Sequence, residues 1–107
     1  MISARALYGI LSRHGFEVTL ASTIAQALDH LQIAQPDYVL LDLMLPDGNG
    51  AAVLRHMRDI DHAARVVVTT AVSDPERLRE VRDLKPDAVL HKPLDVNLLL
   101  MMIGPTN

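Results

Sequence analysis

Three short apolar runs constrain this chain more than anything else in it. Tyr38 to about Leu43, Arg65 to Ala71 and Ala88 to His91 are nearly continuous in aliphatic residues, without the polar alternation of a strand that has one face in water. Between them the apolar residues recur at helical spacing. Strands covered on both faces and joined by helices of about three turns describe an α/β parallel sheet with helices on both sides. Such crossovers are right-handed in about 98% of cases, so the carboxyl ends of the strands share one edge. In open sheets of this type the ligand crevice lies beyond that edge.

The remaining elements follow from local signals. Leu7, Ile10, Leu11 and His14 share a helical face, and Gly15 is placed to end that helix in a left-handed cap. Glu17 to Ala21, EVTLA, predicts a strand. Thr23 and Gln26 form a capping box ahead of a helix with Ile24, Leu28 and Leu31 inward, closed by Pro36. Pro46, Asp47, Gly48, Asn49 and Gly50 mark the loop leaving the next strand, and a helix with Val53, Leu54 and Met57 on one face follows. Ser73, Asp74, Pro75 and Glu76 start a fourth helix that carries Leu78, Val81 and Lys85 and is followed by Pro86. The last helix begins at about Val96, and its run LLLMMI, Leu98 to Ile103, reads as core-facing with a subunit interface as the sharper alternative.

The whole chain, residues 1–107, is the size of one domain, and a 50% hydrophobic content allows a real core. A net charge of −3 leaves no basic stripe for direct nucleic-acid binding. The absence of cysteine removes disulfides, thiolate metal sites and thiol nucleophiles. No apolar run approaches the roughly 20 residues of a bilayer span, and the first residues lack signal-peptide character. No membrane association and a cytoplasmic location are therefore expected.

Asp42 sits in the middle of an apolar run, within YVLLDLMLPDGNG. A carboxylate is rarely buried without a partner, so its place must be the carboxyl edge of the sheet, where the strand reaches the crevice. The ends of three successive strands are then Asp42, Thr70 and Lys92. An acid, a hydroxyl and an amine meeting in one crevice suit phosphoryl transfer to a carboxylate, with the lysine and threonine on the phosphoryl oxygens. A magnesium ion is the expected companion, since it binds one or two carboxylates together with phosphate. Asp47, within a PDG turn, is expected to bond local backbone and not a metal.

LLDLMLPDGNG, VVVTTA and VLHKPL, in this order and spacing, resemble the CheY-like receiver domain of two-component response regulators, and HGFEV and KPDAVLHKP extend the likeness over essentially the whole chain. The resemblance implies a flavodoxin-like, doubly wound sheet and a phosphorelay function. Asp42 would accept phosphate from a histidine kinase or phosphotransfer protein, Thr70 would be the switch hydroxyl and Lys92 would contact the phosphoryl group. It also implies that the Met44 backbone carbonyl, with Asp42, binds Mg2+, and that the Lys92 to Pro93 bond is cis. An output domain or downstream protein, and possibly a second copy of the chain, would be the further partners. The fourth helix, last strand and fifth helix would form the signalling face.

Two departures stand out. Receivers open with a strand carrying a pair of metal-holding acids, whereas this sequence opens on a helix, so four of the five strands are expected and the domain reads as incomplete at its amino end. The missing strand is an interior one in the order 2-1-3-4-5. Its absence predicts one of three outcomes: the EVTLA strand pairs across the gap, a second chain covers it, or the sequence is a fragment of a longer one. The second departure is Val89, where the family has an aromatic switch residue. Weak or absent phosphorylation is expected from the first departure.

Three functions compete at this point. The leading one is a phosphoacceptor module without enzymatic turnover beyond self-catalysed phosphotransfer and autodephosphorylation. The second is a degenerate, phosphorylation-independent interaction or dimerisation module. A phosphatase of the haloacid dehalogenase type is disfavoured, because Met44 stands where such enzymes carry a second aspartate. His14, His30, His56, His62 and His91 show no zinc-site spacing. RLREVRD, Arg77 to Asp83, reads as a solvated helix face, with a partner surface as its alternative.

Overall fold

The computed structural model describes residues 4–71 and 75–104. Strand β1 (Tyr38–Asp42) pairs in parallel with β4 (Arg65–Thr70), which pairs in parallel with β5 (Ala88–His91). Two two-residue strands, β2 (Met44–Leu45) and β3 (Gly48–Asn49), form a small antiparallel hairpin in the loop leaving β1. The helices are α1 (Ala4–Arg13), α2 (Ile24–Ile33), α3 (Ala51–Asp59), α4 (Pro75–Asp83) and α5 (Val96–Ile103).

Alternation along the strands explains why both faces of the sheet are covered. Val66 and Val68 enter one core with Leu41, Leu31 of α2, Val53, Leu54 and Met57 of α3, and Val81 of α4. Val67 enters the other with Leu11 of α1 and Leu99 and Ile103 of α5. Successive residues of one strand thus face opposite layers, and the buried residues of both layers are apolar. The LLLMMI run is divided in the same way: Leu99 and Ile103 are buried, whereas Met101 is 82% exposed.

Helix ends follow the sequence signals with three revisions. Gly15 takes φ 91 just beyond α1, as expected of a left-handed terminator. Thr23 Oγ1 accepts from the Gln26 amide at 3.1 Å, but the Gln26 side chain accepts from Ser22, one residue before the cap. Asp47 bonds distant backbone instead of its own turn: its carboxylate accepts from the Ile24 amide at 2.8 Å and the Ala25 amide at 3.2 Å. Those are orphan amides of the first turn of α2, so the loop leaving β1 caps a helix from 22 residues away or more. Lys85 lies past the end of α4 at φ 54, where Arg58 binds the carbonyls of Leu84 and Lys85, both at 2.8 Å. Ser73 and Asp74, read as part of the α4 start, lie outside the described residues.

The larger correction concerns EVTLA. Residues 16–22 form no strand, so among the described residues the parallel sheet has three strands and not four, and of the three outcomes foreseen for the gap the pairing by EVTLA does not occur. The physical reason is the lack of a ladder partner. Phe16 and Val18 still pack on the α1/α5 core, but their backbone has no neighbouring strand to complete its hydrogen bonds. Among the described residues the other edge of β1 has no strand partner, and a groove bounded by β1, α1, α2 and residues 16–23 runs beside it.

Two predictions follow from this framework. Gly50 donates its amide to the Leu43 carbonyl at 2.8 Å, and a Cβ there would run into the backbone carbonyl of Asp42. Gly50→Ala is expected to destabilise the domain by about 2 kcal/mol, measured by urea unfolding, because backbone must move to relieve the clash. The Ile24 amide, helped by that of Ala25, holds the Asp47 carboxyl below its ordinary range. A depressed folded-state pKa stabilises above the unfolded value, about 3.9, and the contribution is lost as pH falls through the folded one. The stability gap between the parent and Asp47→Ala should therefore be widest near neutrality and shrink in acid; a gap constant across that range would contradict it.

Candidate functional site

Asp42 is the last residue of β1, and its backbone pairs with Thr69 of β4. At this edge the strand leaves the core: Leu41 is 4% exposed, whereas the Asp42 side chain is 34% exposed. Both carboxylate oxygens are engaged. Oδ1 accepts from the Met44 amide at 2.9 Å, and Oδ2 accepts from Lys92 Nζ at 2.6 Å. The Met44 bond uses the chain reversal that begins the β2–β3 hairpin, so the loop after β1 orients the carboxylate it has just passed.

Lys92 follows β5 and comes from two strands away. Its backbone amide donates to the Thr70 carbonyl at 2.8 Å, and the Lys92–Pro93 bond is cis, as expected. That amide bond anchors the lysine at the end of β4, and its side chain spans the strand end to reach Asp42. Thr70 itself is fully buried and paired with His91 in the register, between the strands that carry the acid and the amine. The fold therefore brings the three sequence-predicted residues to one edge, with direct side-chain contact between Asp42 and Lys92.

A 2.6 Å ammonium–carboxylate pair is charge-assisted and short. Its stability value is small, because both side chains are partly solvated, and exposed pairs of this kind contribute about 0–1 kcal/mol. Its chemical value is larger. An ammonium within bonding distance of the acid is placed to compensate negative charge added there.

The residues present fit a resident magnesium ion poorly. The ion asks for near-octahedral oxygen ligation, and the site offers one carboxylate, already paired with an ammonium, together with the backbone of Met44. Among the described residues no three His, Asp or Glu side chains cluster as metal ligands. Val89 packs, partly buried, against the α2/α3/α4 core.

Four features in and around the site were missed from the residues alone. The Met44 amide donates to Asp42, and the Lys92 amide donates to the Thr70 carbonyl. Gly50 closes on the Asp42 carbonyl, for which the second glycine of PDGNG was the available signal. Asp95 caps α5 through the Leu98 amide at 3.1 Å, a cap readable in the sequence as an aspartate ahead of an apolar run.

Comparison with known proteins gives a consistent outcome. Residues 2–104 match the family model described as response regulator receiver domain. Sporulation initiation phosphotransferase F of Bacillus subtilis is 31% identical over 88 residues, covering 82% of this chain and 71% of that protein. Chemotaxis protein CheY of the same species is 28% identical over 91% of this chain and 82% of its own length. The chain spans less than half of some longer relatives, such as a probable transcriptional regulatory protein of Sinorhizobium fredii, 32% identical over 90% of this chain and 42% of that protein. Among solved structures, a CheY-like receiver domain protein from Methanospirillum hungatei superposes with a TM-score of 0.87 at 24% identity, over 92% of this chain and 79% of the other. A Burkholderia pseudomallei response regulator, solved with a phosphorylated aspartic acid, calcium ion and citrate, gives 0.82 at 25% identity, over 91% of this chain and 57% of that one. With its α/β fold, strand-edge acid and matching sequence, the chain belongs to the response regulator receiver domain family of two-component systems.

Proposed function

We propose that this domain accepts a phosphoryl group on Asp42 from a histidine kinase or phosphotransfer protein and passes the change to a protein interface. The observation that carries the reading is the 2.6 Å pair between Lys92 Nζ and Asp42 Oδ2 at the carboxyl edge of the sheet. An Asp42 oxygen attacks phosphorus in line with the phosphohistidine nitrogen. The O–P bond forms as the P–N bond breaks, and the departing imidazole keeps that electron pair. Lys92 stays on the phosphoryl oxygens, and the hydroxyl of Thr70 turns toward them. The product carries roughly one and a half to two negative charges where there was one, which biases the Thr70 strand end and the loop after it.

Metal-free charge compensation falls on Lys92 alone in the described residues, so transfer is expected to be slow. A second reading draws on the same observation: an acid already neutralised by a lysine holds this edge in one arrangement without phosphate. The domain would then act as a phosphorylation-independent interaction module, and its partners would include an output domain or a second copy.

Incubation with acetyl phosphate and magnesium, followed by intact mass, separates the two. A slowly formed single phosphoryl adduct is expected, absent in Asp42→Ala and reduced about tenfold or more in Lys92→Ala, the scale of losing one charge-stabilising donor. An adduct that survives in Asp42→Ala would place the acceptor elsewhere. No adduct at any donor concentration would leave the interaction-module reading.

A further inference from the structure

The first turn of α2 is capped from outside the helix. Thr23 Oγ1 accepts from the Gln26 amide, whereas the amides of Ile24 and Ala25 donate to the Asp47 carboxylate at 2.8 and 3.2 Å. A helix leaves its first amides without intrahelical acceptors, so two of these depend on a residue 22 or 23 positions away. Asp47 lies in the two-residue turn of the β2–β3 hairpin, whose register pairs Met44 with Asn49 and Leu45 with Gly48. The turn meets α2 at a second point, since a Cβ on Gly48 would stand 3.4 Å from Ile24 Cδ1.

The open end of the same hairpin is fixed to the acid. Met44, its first residue, donates its amide to Asp42 Oδ1 at 2.9 Å. Asn49, its last, accepts from the Ala51 amide at 2.9 Å and so ties the returning chain to the start of α3. Between the Asp42 carboxylate and α2 there are thus only two ladder pairs and the Asp47 side chain. In so short a hairpin a shift of Met44 moves Asp47 with it.

We infer that the charge on Asp42 sets the order of the first turn of α2, with the β2–β3 hairpin and Asp47 as the link, so that phosphorylation loosens that turn. The phosphate-driven part rests on the reading of Asp42 as phosphoacceptor. With Oδ2, the oxygen beside Lys92, bonded to phosphorus, Oδ1 becomes the carbonyl oxygen of an acyl phosphate, and its share of the charge passes to the phosphoryl oxygens. A hydrogen bond to a charged acceptor is roughly twice as strong as one to a neutral acceptor. The Met44 amide then holds a weaker bond or follows the charge outward. Either change draws the hairpin from the place where Asp47 meets Ile24 and Ala25. The Thr70 route runs through β4, whereas this one runs through the loop leaving β1, so the acid has two outputs.

Amide hydrogen exchange of the full chain, followed by NMR at single residues, tests the link with and without phosphate. Asp42→Asn removes the charge and keeps the shape; whichever way its amide turns, Met44 loses a charged acceptor. Exchange at Ile24 and Ala25 should quicken about fivefold in this variant, equivalent to roughly 1 kcal/mol of lost hydrogen-bond strength. Asp47→Ala, which removes the cap itself, should quicken it at least as much. The Leu98 amide, bonded at 3.1 Å to the Asp95 carboxylate at the start of α5, has the same kind of cap without the hairpin and should not change. The adduct formed by the parent chain with acetyl phosphate and magnesium should match Asp42→Asn. Unchanged exchange at Ile24 and Ala25 in either variant overturns the inference, as does equal acceleration at Leu98, which reports loosening of the whole domain. An adduct that leaves both amides unaffected also overturns it, with the phosphoacceptor reading intact. If no adduct forms, that reading fails and takes the phosphate-driven part with it, and control of α2 by the charge at Asp42 stands or falls on Asp42→Asn.

Discussion

The parallel pairing of Tyr38–Asp42 with Arg65–Thr70 is the contact on which the other parts of this domain depend. It joins two largely apolar strands and supplies the surface on which α1 and α5 pack from one side and α2, α3 and α4 from the other. It also sets the register that lays Asp42 beside Thr69 and one position short of Thr70. A slip of one residue would turn the acid toward a core and every valine of β4 to the wrong layer. Structure and chemistry are therefore specified by the same ladder.

Charge at the carboxyl edge is organised around Asp42. Lys92 is carried there by β5 and by its amide bond to Thr70, and Met44 turns back to the other oxygen. Both bonds come from segments that have just left a strand, so neither costs the sheet a ladder bond. The loop after β1 does three things at once: it orients Asp42, it requires Gly50 against the Asp42 carbonyl, and it caps α2 through Asp47. Such sharing of a few residues between folding and chemistry leaves that loop little freedom to vary.

Much of this was legible from single residues. The five helices and the three paired strands follow from apolar spacing and from terminators such as Gly15, and Asp42, Thr70 and Lys92 follow from where the strands end. EVTLA was not legible as it stands in the fold. Its residues have strand character, and Phe16 and Val18 do pack inward, but a strand is defined by a hydrogen-bonding neighbour that local composition cannot supply. Asp47 was read as a local turn residue for the same reason, since its true partners, Ile24 and Ala25, are remote in sequence.

Sequence by itself determined the fold class, the family and the three residues at the carboxyl edge of the sheet, because these depend on periodicity and on motifs written in consecutive positions. Only the tertiary structure decided how those residues meet: the 2.6 Å Lys92–Asp42 bond spans 50 positions, and the groove beside β1 exists because no described segment pairs with that edge. Local pattern says what each segment is able to form. Which backbone groups find partners is a property of the assembled sheet.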